Sequence, residues 1–414
     1  MTAYLEQLIN RSRTSFKQLK RATTLERNQA LTNIADSLAA NTETILAANQ
    51  KDVDAAKSAG MSAALVDRLT LTNDRVKAMA QGVIDIREMP DPIGQIVRGN
   101  RLKNGMKVEQ VREPLGVIAM IFEARPNVTV DAAVLSIKSA NSCILRGGKE
   151  ALNSNKVLAD LIRGAIAEVL PMDCVILIEN TDHSLVDELL QARGLIDLVI
   201  PRGSARLINK VVSDARVPVI ETGAGICTAY VSESANLDDA LNIVINAKTQ
   251  RPSVCNALEN LLVHERVVDA FIPKLYERLT RLHTELRGDS RMVALTGCTE
   301  ATLQDFDTEY LDYILSAKTV ASTAEAIAFI NEHGTHHSDV ILTEDYREAR
   351  TFLADVDSAC VYVNASTRFS DGAEFGYGAE IGISTQKMHA RGPFGLTELT
   401  TTKYLITGEG QVRP

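Results

Sequence analysis

The sequence lacks most features that would place a protein outside a reducing compartment or in a membrane. Six cysteines in 414 residues include no CxxC spacing, which excludes a zinc or dithiol redox pair and a disulfide scaffold and fits a reducing compartment. No apolar run approaches the roughly 20 residues of a bilayer-spanning helix. The longest, "LGVIAMIF" from Leu115 to Phe122, has the length of a buried strand. The opening "MTAYLEQLINRSRTSFKQLKRAT" carries charges throughout and has no apolar centre of the kind a secretory signal needs. Basic residues are not in surplus: 44 Lys and Arg face 53 Asp and Glu, a formal net charge of −9. Nucleic acid is therefore excluded as a partner, because phosphate neutralisation needs a concentrated cationic surface. Internal repeats and low-complexity tracts are absent too. A cytoplasmic protein is expected, with no membrane partner and, at 45% hydrophobic residues, two or three domains with ample core.

What the chain does have is periodicity that changes along its length. The first ~90 residues read as helical. Thr23 and Glu26 form a capping box, with Leu31, Ile34 and Leu38 on one face. Pro90 and Pro92 end that region, and "RGNRLKNGMKVEQVRE" alternates polar and apolar residues around Asn104-Gly105, the signature of a two-residue hairpin. A lone hairpin is unstable, so it should lean on another element or subunit. From Gly116 to Ile220 strands ("GVIAMIF", "SCILRGG", "CVILIE", "LIDLVIP", "VPVIE") alternate with amphipathic helices, the pattern of a doubly wound parallel sheet covered on both faces. A second alternating α/β region follows Thr228, and the C-terminal part is Gly-rich and then strand-like.

The candidate site residues stand at the ends of these elements. Cys143, Cys174, Cys227 and Cys360 sit in apolar runs and read as small core hydrophobes, and Cys298 reads as a loop residue. Cys255 differs: in "AKTQRPSVCNALENLLV" it lies in a polar, turn-prone context. The segment after it reads as a helix whose N-terminal dipole, with Arg251 and Lys248, would favour a thiolate. In "EARPNVTVDA" Asn127 ends a strand, where its amide could serve a developing oxyanion or cap a helix. Glu221 places a carboxylate at the end of a parallel strand, the usual ligand edge of such sheets. No G-x-G-x-x-G is present, but two glycine turns, Arg146 to Ala151 and Val199 to Leu207, follow strands and precede helices, as phosphate-binding turns do. His333, His336, His337 and Asp339 lack a metalloprotease spacing and an evident fourth ligand, so no metal is expected.

The order Asn127, Gly203-Ser204, Glu221, Cys255 and a Gly-rich tail resembles the aldehyde dehydrogenase superfamily over nearly the whole chain. The blocks "FEARPNVTVDAAVL", "NAKTQRPSVCN", "EHGTHHSDVIL" and "YVNASTRFSDGAEFGYGAEIGISTQKMHARGPFGLTELTTTKY" look like those of its branch that reduces γ-glutamyl phosphate. That resemblance implies an aldehyde-dehydrogenase-like α/β fold in three parts. They are a cofactor domain (1–97 and 113–228), a catalytic domain (229–399) and an oligomerisation arm (98–112 and 400–414). It implies Cys255 as nucleophile, with Asn127 and the Cys255 backbone N–H as oxyanion donors and Glu221 at the position of the general base. Arg146, Lys149, Gly203, Ser204 and Glu309 are implied as cofactor contacts, with Lys149 suiting the 2′-phosphate of NADPH, and Arg251 and Arg368 as anion contacts for substrate. Where the family commonly has a histidine, this chain has Phe329.

The implied reaction is NADPH-dependent reduction of L-glutamyl 5-phosphate to L-glutamate 5-semialdehyde through a cysteine thioester, the second step of proline biosynthesis from glutamate. A homo-oligomer is expected, as is transient contact with glutamate 5-kinase, because an acyl phosphate is labile in water. The alternative is an NAD(P)-dependent dehydrogenase that oxidises a small aldehyde to the acid, with Glu221 activating water. A catalytically silent scaffold of the same fold is a third reading, and retention of Asn127, Glu221 and Cys255 together speaks against it.

Overall fold

The computed structural model describes residues 1–376 and 378–413. Tyr377, inside the Gly-rich block, and Pro414, the last residue of the expected arm, lie outside the described residues. The chain divides into two compact units, one of residues 1–222, 376–382 and 394–414, the other of residues 223–375 and 383–393.

The first unit opens with the expected helices, Ala3–Leu19, Thr24–Ala40, Thr42–Ser58, Ala63–Leu69 and Asn73–Glu88. The capping box at Thr23 and Glu26 is present in both directions. The hairpin forms from β1 (Ile96–Arg101) and β2 (Lys107–Pro114). The central sheet has β3 (Val117–Phe122), β4 (Ser142–Gly147), β5 (Val175–Leu177) and β6 (Leu198–Arg202), ordered β5-β4-β3-β6 with every pair parallel. Every residue of β3 and β4 is buried, as a sheet covered on both faces requires. The strand expected over "VPVIE" is reduced to one bridge between Val199 and Val219. Val199 N–H donates to Pro218 O and Ile220 N–H to Val199 O, but Pro218 has no N–H to extend a ladder.

The second unit holds β7 (Cys227–Val231), β8 (Leu258–His264), β9 (Glu285–Gly288), β10 (Thr299–Glu300), β11 (Ile314–Val320), β12 (Ser338–Leu342) and β13 (Cys360–Val363). They form one parallel sheet ordered β10-β9-β11-β8-β7-β12-β13. Alternate residues enter separate cores. Ala229, Val231, Leu261 and Val263 pack with the helices Leu237–Thr249 and Val268–Arg281, whereas Tyr230 and Leu262 pack with Phe329 and Phe352 on the other face. Phe329 thus fills core space and meets Phe306 edge-on at 5.4 Å. Cys298 lies in the loop between the helix Ser290–Thr296 and β10, as expected, with its side chain buried in the first of these cores beside Met292.

β14 (Glu380–Ser384) pairs with β15 (Gly392–Gly395) as a two-stranded sheet. β16 (Thr400–Thr407) adds to β2 along its whole length, completing a three-stranded antiparallel sheet β1-β2-β16. Among the described residues no helix is long and apolar enough to cross a membrane.

Candidate active site

In the first unit the expected site residues gather at the carboxyl edge of the parallel sheet. Phe122 ends β3 in register with Gly147 of β4 and Arg202 of β6, so the segments after these strands emerge side by side. Asn127 begins the helix Asn127–Lys138, and its side-chain amide donates to Asp131 Oδ2 at 2.9 Å. Burial pushes the Asp131 carboxyl up to about 6, with the Asn127 hydrogen bond and the Arg202 charge opposing the shift. The Arg146 guanidinium is buried and donates to the carbonyls of Gly147 and Thr181. It braces the turn from beneath, and burial pulls its pKa down. Lys149 stands exposed in the short turn Lys149–Ala151, without an ion pair among the described residues. Glu221 is half-buried where the chain leaves Ile220.

The second glycine turn has the form of an anion cradle. Ser204 caps the helix Ala205–Asp214, and its backbone N–H donates to Glu123 Oε2 at 2.7 Å while its hydroxyl donates to Glu123 Oε1 at 3.3 Å. A Cβ on Gly203 would lie 2.5 Å from Glu123 Oε2. A negatively charged oxygen therefore already engages the helix N-terminus where a phosphate is favoured by the unpaired N–H groups and the helix dipole. At this turn the donors are taken by Glu123, whereas the exposed Lys149 ammonium of the first turn is a cation of the kind that suits a dinucleotide's phosphates.

In the second unit the structure brings Arg251, Cys255, Glu309 and Arg368 together. Cys255 is the one cysteine of the six that is not buried. It lies in a turn between the helix Leu237–Thr249 and β8, so the expectation of a helix after it is overturned, and with it the N-terminal dipole as a source of thiolate stability. The run "LENLLVH" pairs with β7 and β11 instead. Lys248 is also withdrawn as an activator: it has no exposed surface and pairs with the equally buried Glu259 at 2.6 Å.

The turn is gripped at several points. Gly225 passes so close that a Cβ there would sit 1.5 Å from the Cys255 carbonyl oxygen, an approach only glycine permits. The Gly225 N–H donates to Glu309 Oε1 at 2.7 Å, which sets that carboxylate beside the Cys255 turn. The Cys227 thiol donates to Cys255 O at 3.3 Å. Asn256 donates to the carbonyls of Arg368 and Ser370, and Thr367 Oγ1 donates to Asn256 O at 2.7 Å. Arg368 Nε donates to Gln250 Oε1 at 2.8 Å. Burial and the like charge of Arg251 pull the Arg368 pKa down, and Cys255 and Asp371 oppose the shift. Neither arginine has an ion pair among the described residues, which leaves guanidinium donors available to an anion.

Sequence reasoning missed Glu123, Asp131, Gly225, Asn256 and the Lys248–Glu259 pair. For the pair a signal existed: a lysine in "INAKTQ" and a glutamate in "ALENLLV" each interrupt an apolar stretch, and buried charges come in pairs. His333 Nδ1 meets Asp307 at 2.8 Å, His336 Nδ1 meets Asp357 O at 2.6 Å, and Asp339 accepts from Thr228 N–H and Ser358 Oγ. These side chains thus serve separate structural contacts.

Comparisons with known proteins agree with this geometry. Residues 2–297 match the aldehyde dehydrogenase family. A gamma-glutamyl phosphate reductase of Clostridium novyi is 50% identical over 99% of both chains, and one of Thermobifida fusca is 52% identical over 94% of this chain and 93% of that one. The crystal structure of gamma-glutamyl phosphate reductase from Thermotoga maritima superposes with a TM-score of 0.96 at 46% identity, covering 99% of this chain and 100% of that one. With two parallel sheets, a half-exposed cysteine turn and relatives of this identity along its whole length, the chain belongs to the aldehyde dehydrogenase family, in its gamma-glutamyl phosphate reductase branch.

Proposed function

We propose that this chain reduces L-glutamyl 5-phosphate to L-glutamate 5-semialdehyde and inorganic phosphate, with NADPH as reductant, as the second step of proline biosynthesis from glutamate. The observation that carries the reading is the half-exposed Cys255 thiol beside two guanidiniums, Arg251 and Arg368, neither of which forms an ion pair among the described residues. Such a setting favours a thiolate and attracts an anionic acyl donor.

The Cys255 thiolate attacks the acyl carbon, the bond from that carbon to the phosphate oxygen breaks, inorganic phosphate departs, and a thioester to Cys255 remains. Asn127 has two amide hydrogens; Asp131 takes one, and the other is assigned to the oxyanion that forms on the acyl oxygen. When bound, the nicotinamide cofactor supplies the two electrons and the hydrogen that convert the acyl group to the aldehyde level. Release of the aldehyde returns the sulfur to its thiolate form. No water is activated in this sequence, so Glu221 has no step in it.

The family works with NAD or NADP, and the choice of NADPH rests on the exposed Lys149 at the first glycine turn, a cation suited to a 2′-phosphate. A homo-oligomer is part of the same reading. The sheet β1-β2-β16 leaves Ile96, Val97, Tyr404, Leu405 and Ile406 exposed, apolar surface of the kind a second copy would cover.

The test is oxidation of glutamate semialdehyde run in reverse, with and without inorganic phosphate or arsenate. The proposed enzyme requires the anion, and equal rates without it would establish aldehyde oxidation by water. Cys255→Ser should keep the fold and lower turnover by about four orders of magnitude or more.

A further inference from the structure

We propose that His337 is a positioning residue for this reaction, holding the nucleophile turn and the arginine segment 366–370 in one fixed arrangement. The inference rests on the reading of Cys255 and Arg368 given above. β12 lies beside β7 with Val340 opposite Ala229, so the amino ends of these strands, His337-Ser338 and Cys227, are neighbours. His337, Ser338, Ser370 and Cys227 have no exposed surface. His337 Nδ1 is 2.8 Å from Ser338 Oγ and 3.7 Å from Cys227 Sγ. Ser338 Oγ is 2.6 Å from Ser370 Oγ, which is 2.7 Å from the Tyr362 hydroxyl.

These contacts close a circuit around the nucleophile. On one side Cys227 holds the Cys255 carbonyl. On the other, Ser370 offers its carbonyl to Asn256, the residue after the nucleophile, which also holds the Arg368 carbonyl. His337 joins the two arms. Cys227 has a single S–H, which cannot serve both the Cys255 carbonyl and the imidazole. A proton on Nδ1 leaves that S–H to the carbonyl. It also sends one polarity down the chain: Nδ1–H to Ser338, Ser338 O–H to Ser370, and Ser370 O–H to Tyr362. Without the imidazole, Cys227 loses a packed neighbour and Ser370 loses its fixed orientation. The sulfur and the anion-binding arginine then lose their mutual register together.

The experiment measures two rates on the full chain: alkylation of Cys255 by iodoacetamide, and the inorganic phosphate concentration that halves it. For the parent protein, protection by phosphate is expected; its absence would overturn the anion-site reading itself and not the role of His337. His337→Ala is expected to slow alkylation about tenfold and to raise the half-protecting phosphate concentration about tenfold, because small displacements of a reacting group carry large rate penalties. His337→Asn, whose amide reaches the place of Nδ1, is expected to recover both to within about threefold of the parent, which a merely structural loss would not do. Parental values for a folded His337→Ala, or no recovery by His337→Asn, would overturn the proposal. Should His337→Ala fail to fold, Ser338→Ala is read in the same way, and parental values there would overturn it equally.

Discussion

Replacing Lys248 by methionine isolates the interaction that brackets the Cys255 turn. Lys248 lies at the end of the helix before Cys255 and Glu259 in the strand after it. Their 2.6 Å contact has no solvent-exposed surface on either side chain, and Glu259 Oε1 also accepts from the Leu311 N–H at 3.1 Å. Burial outweighs attraction here: it pulls the Lys248 ammonium down and pushes the Glu259 carboxyl up to about 7. With lysine gone, the carboxyl must be protonated or remain an uncompensated buried charge, and loss of one partner from such a pair costs about 3–5 kcal/mol. For a folding unit of roughly 150–250 residues each kcal/mol moves the melting temperature by about 2–4 °C, so Lys248→Met should lower it by about 6–20 °C. The double variant Lys248→Met with Glu259→Leu removes both charges and should regain most of that loss, because apolar replacement of a whole buried pair is often neutral. Thermal melts followed by circular dichroism at pH 7 provide the measurement. A single variant within about 1 kcal/mol of the parent, or a double variant as unstable as the single, would refute the reasoning.

Three further substitutions probe other contacts. Gly225→Ala places a Cβ 1.5 Å from the Cys255 carbonyl oxygen, a backbone atom that cannot rotate away, and kcat/KM should fall about 100-fold; parental kinetics would show that the turn moves freely. Lys149→Asp should weaken NADPH relative to NADH by about 10–100-fold in titration calorimetry, and an unchanged ratio would remove Lys149 from cofactor choice. Burial raises the Asp131 carboxyl from 3.8 to about 6, so the folded state holds a proton between those values that the unfolded state has lost. Its contribution to stability is then complete below about pH 4 and lost as the pH rises through 6. Asp131→Asn should therefore stabilise the protein above pH 6 by at most about 3 kcal/mol and leave it unchanged near pH 4; a pH-independent difference in denaturation midpoints would contradict this.

The parallel strands were legible because burial on both faces leaves a continuous apolar signature, as in "GVIAMIF" and "SCILRGG". The N-terminal helices were legible from caps and spacing. "VPVIE" carries the same apolar signature, yet Pro218 denies it a ladder, which is a matter of one missing N–H rather than of hydrophobicity. The segment after Cys255 was misread because "ALENLLV" satisfies a helical and an extended pattern equally, and only lateral pairing with β7 and β11 decides it. Lys248 lies seven residues from Cys255 and reads as an activator by that spacing; its buried pairing with Glu259 depends on how the helix packs on β8. The circuit through Cys227, His337 and Ser370 joins residues more than a hundred positions apart, and it exists because β12 lies beside β7. Strand order of that kind is a global property with no local sequence mark.

The loss of both the helix dipole and Lys248 narrows what can stabilise charge at Cys255. Arg251 and Arg368 remain, and their mutual repulsion and the burial of Arg368 are opposed by negative charge on the sulfur. On the proposed reaction, attack moves that charge from sulfur to the departing phosphate oxygen, a group the same guanidiniums suit by geometry. The site is then stabilised before the step by the thiolate and after it by the leaving group, and the two arginines need no rearrangement between them. Such continuity demands that the turn bearing Cys255 and the segment bearing Arg368 keep one fixed separation. Asn256 and Thr367 supply that constraint directly, through hydrogen bonds that run from one segment to the other.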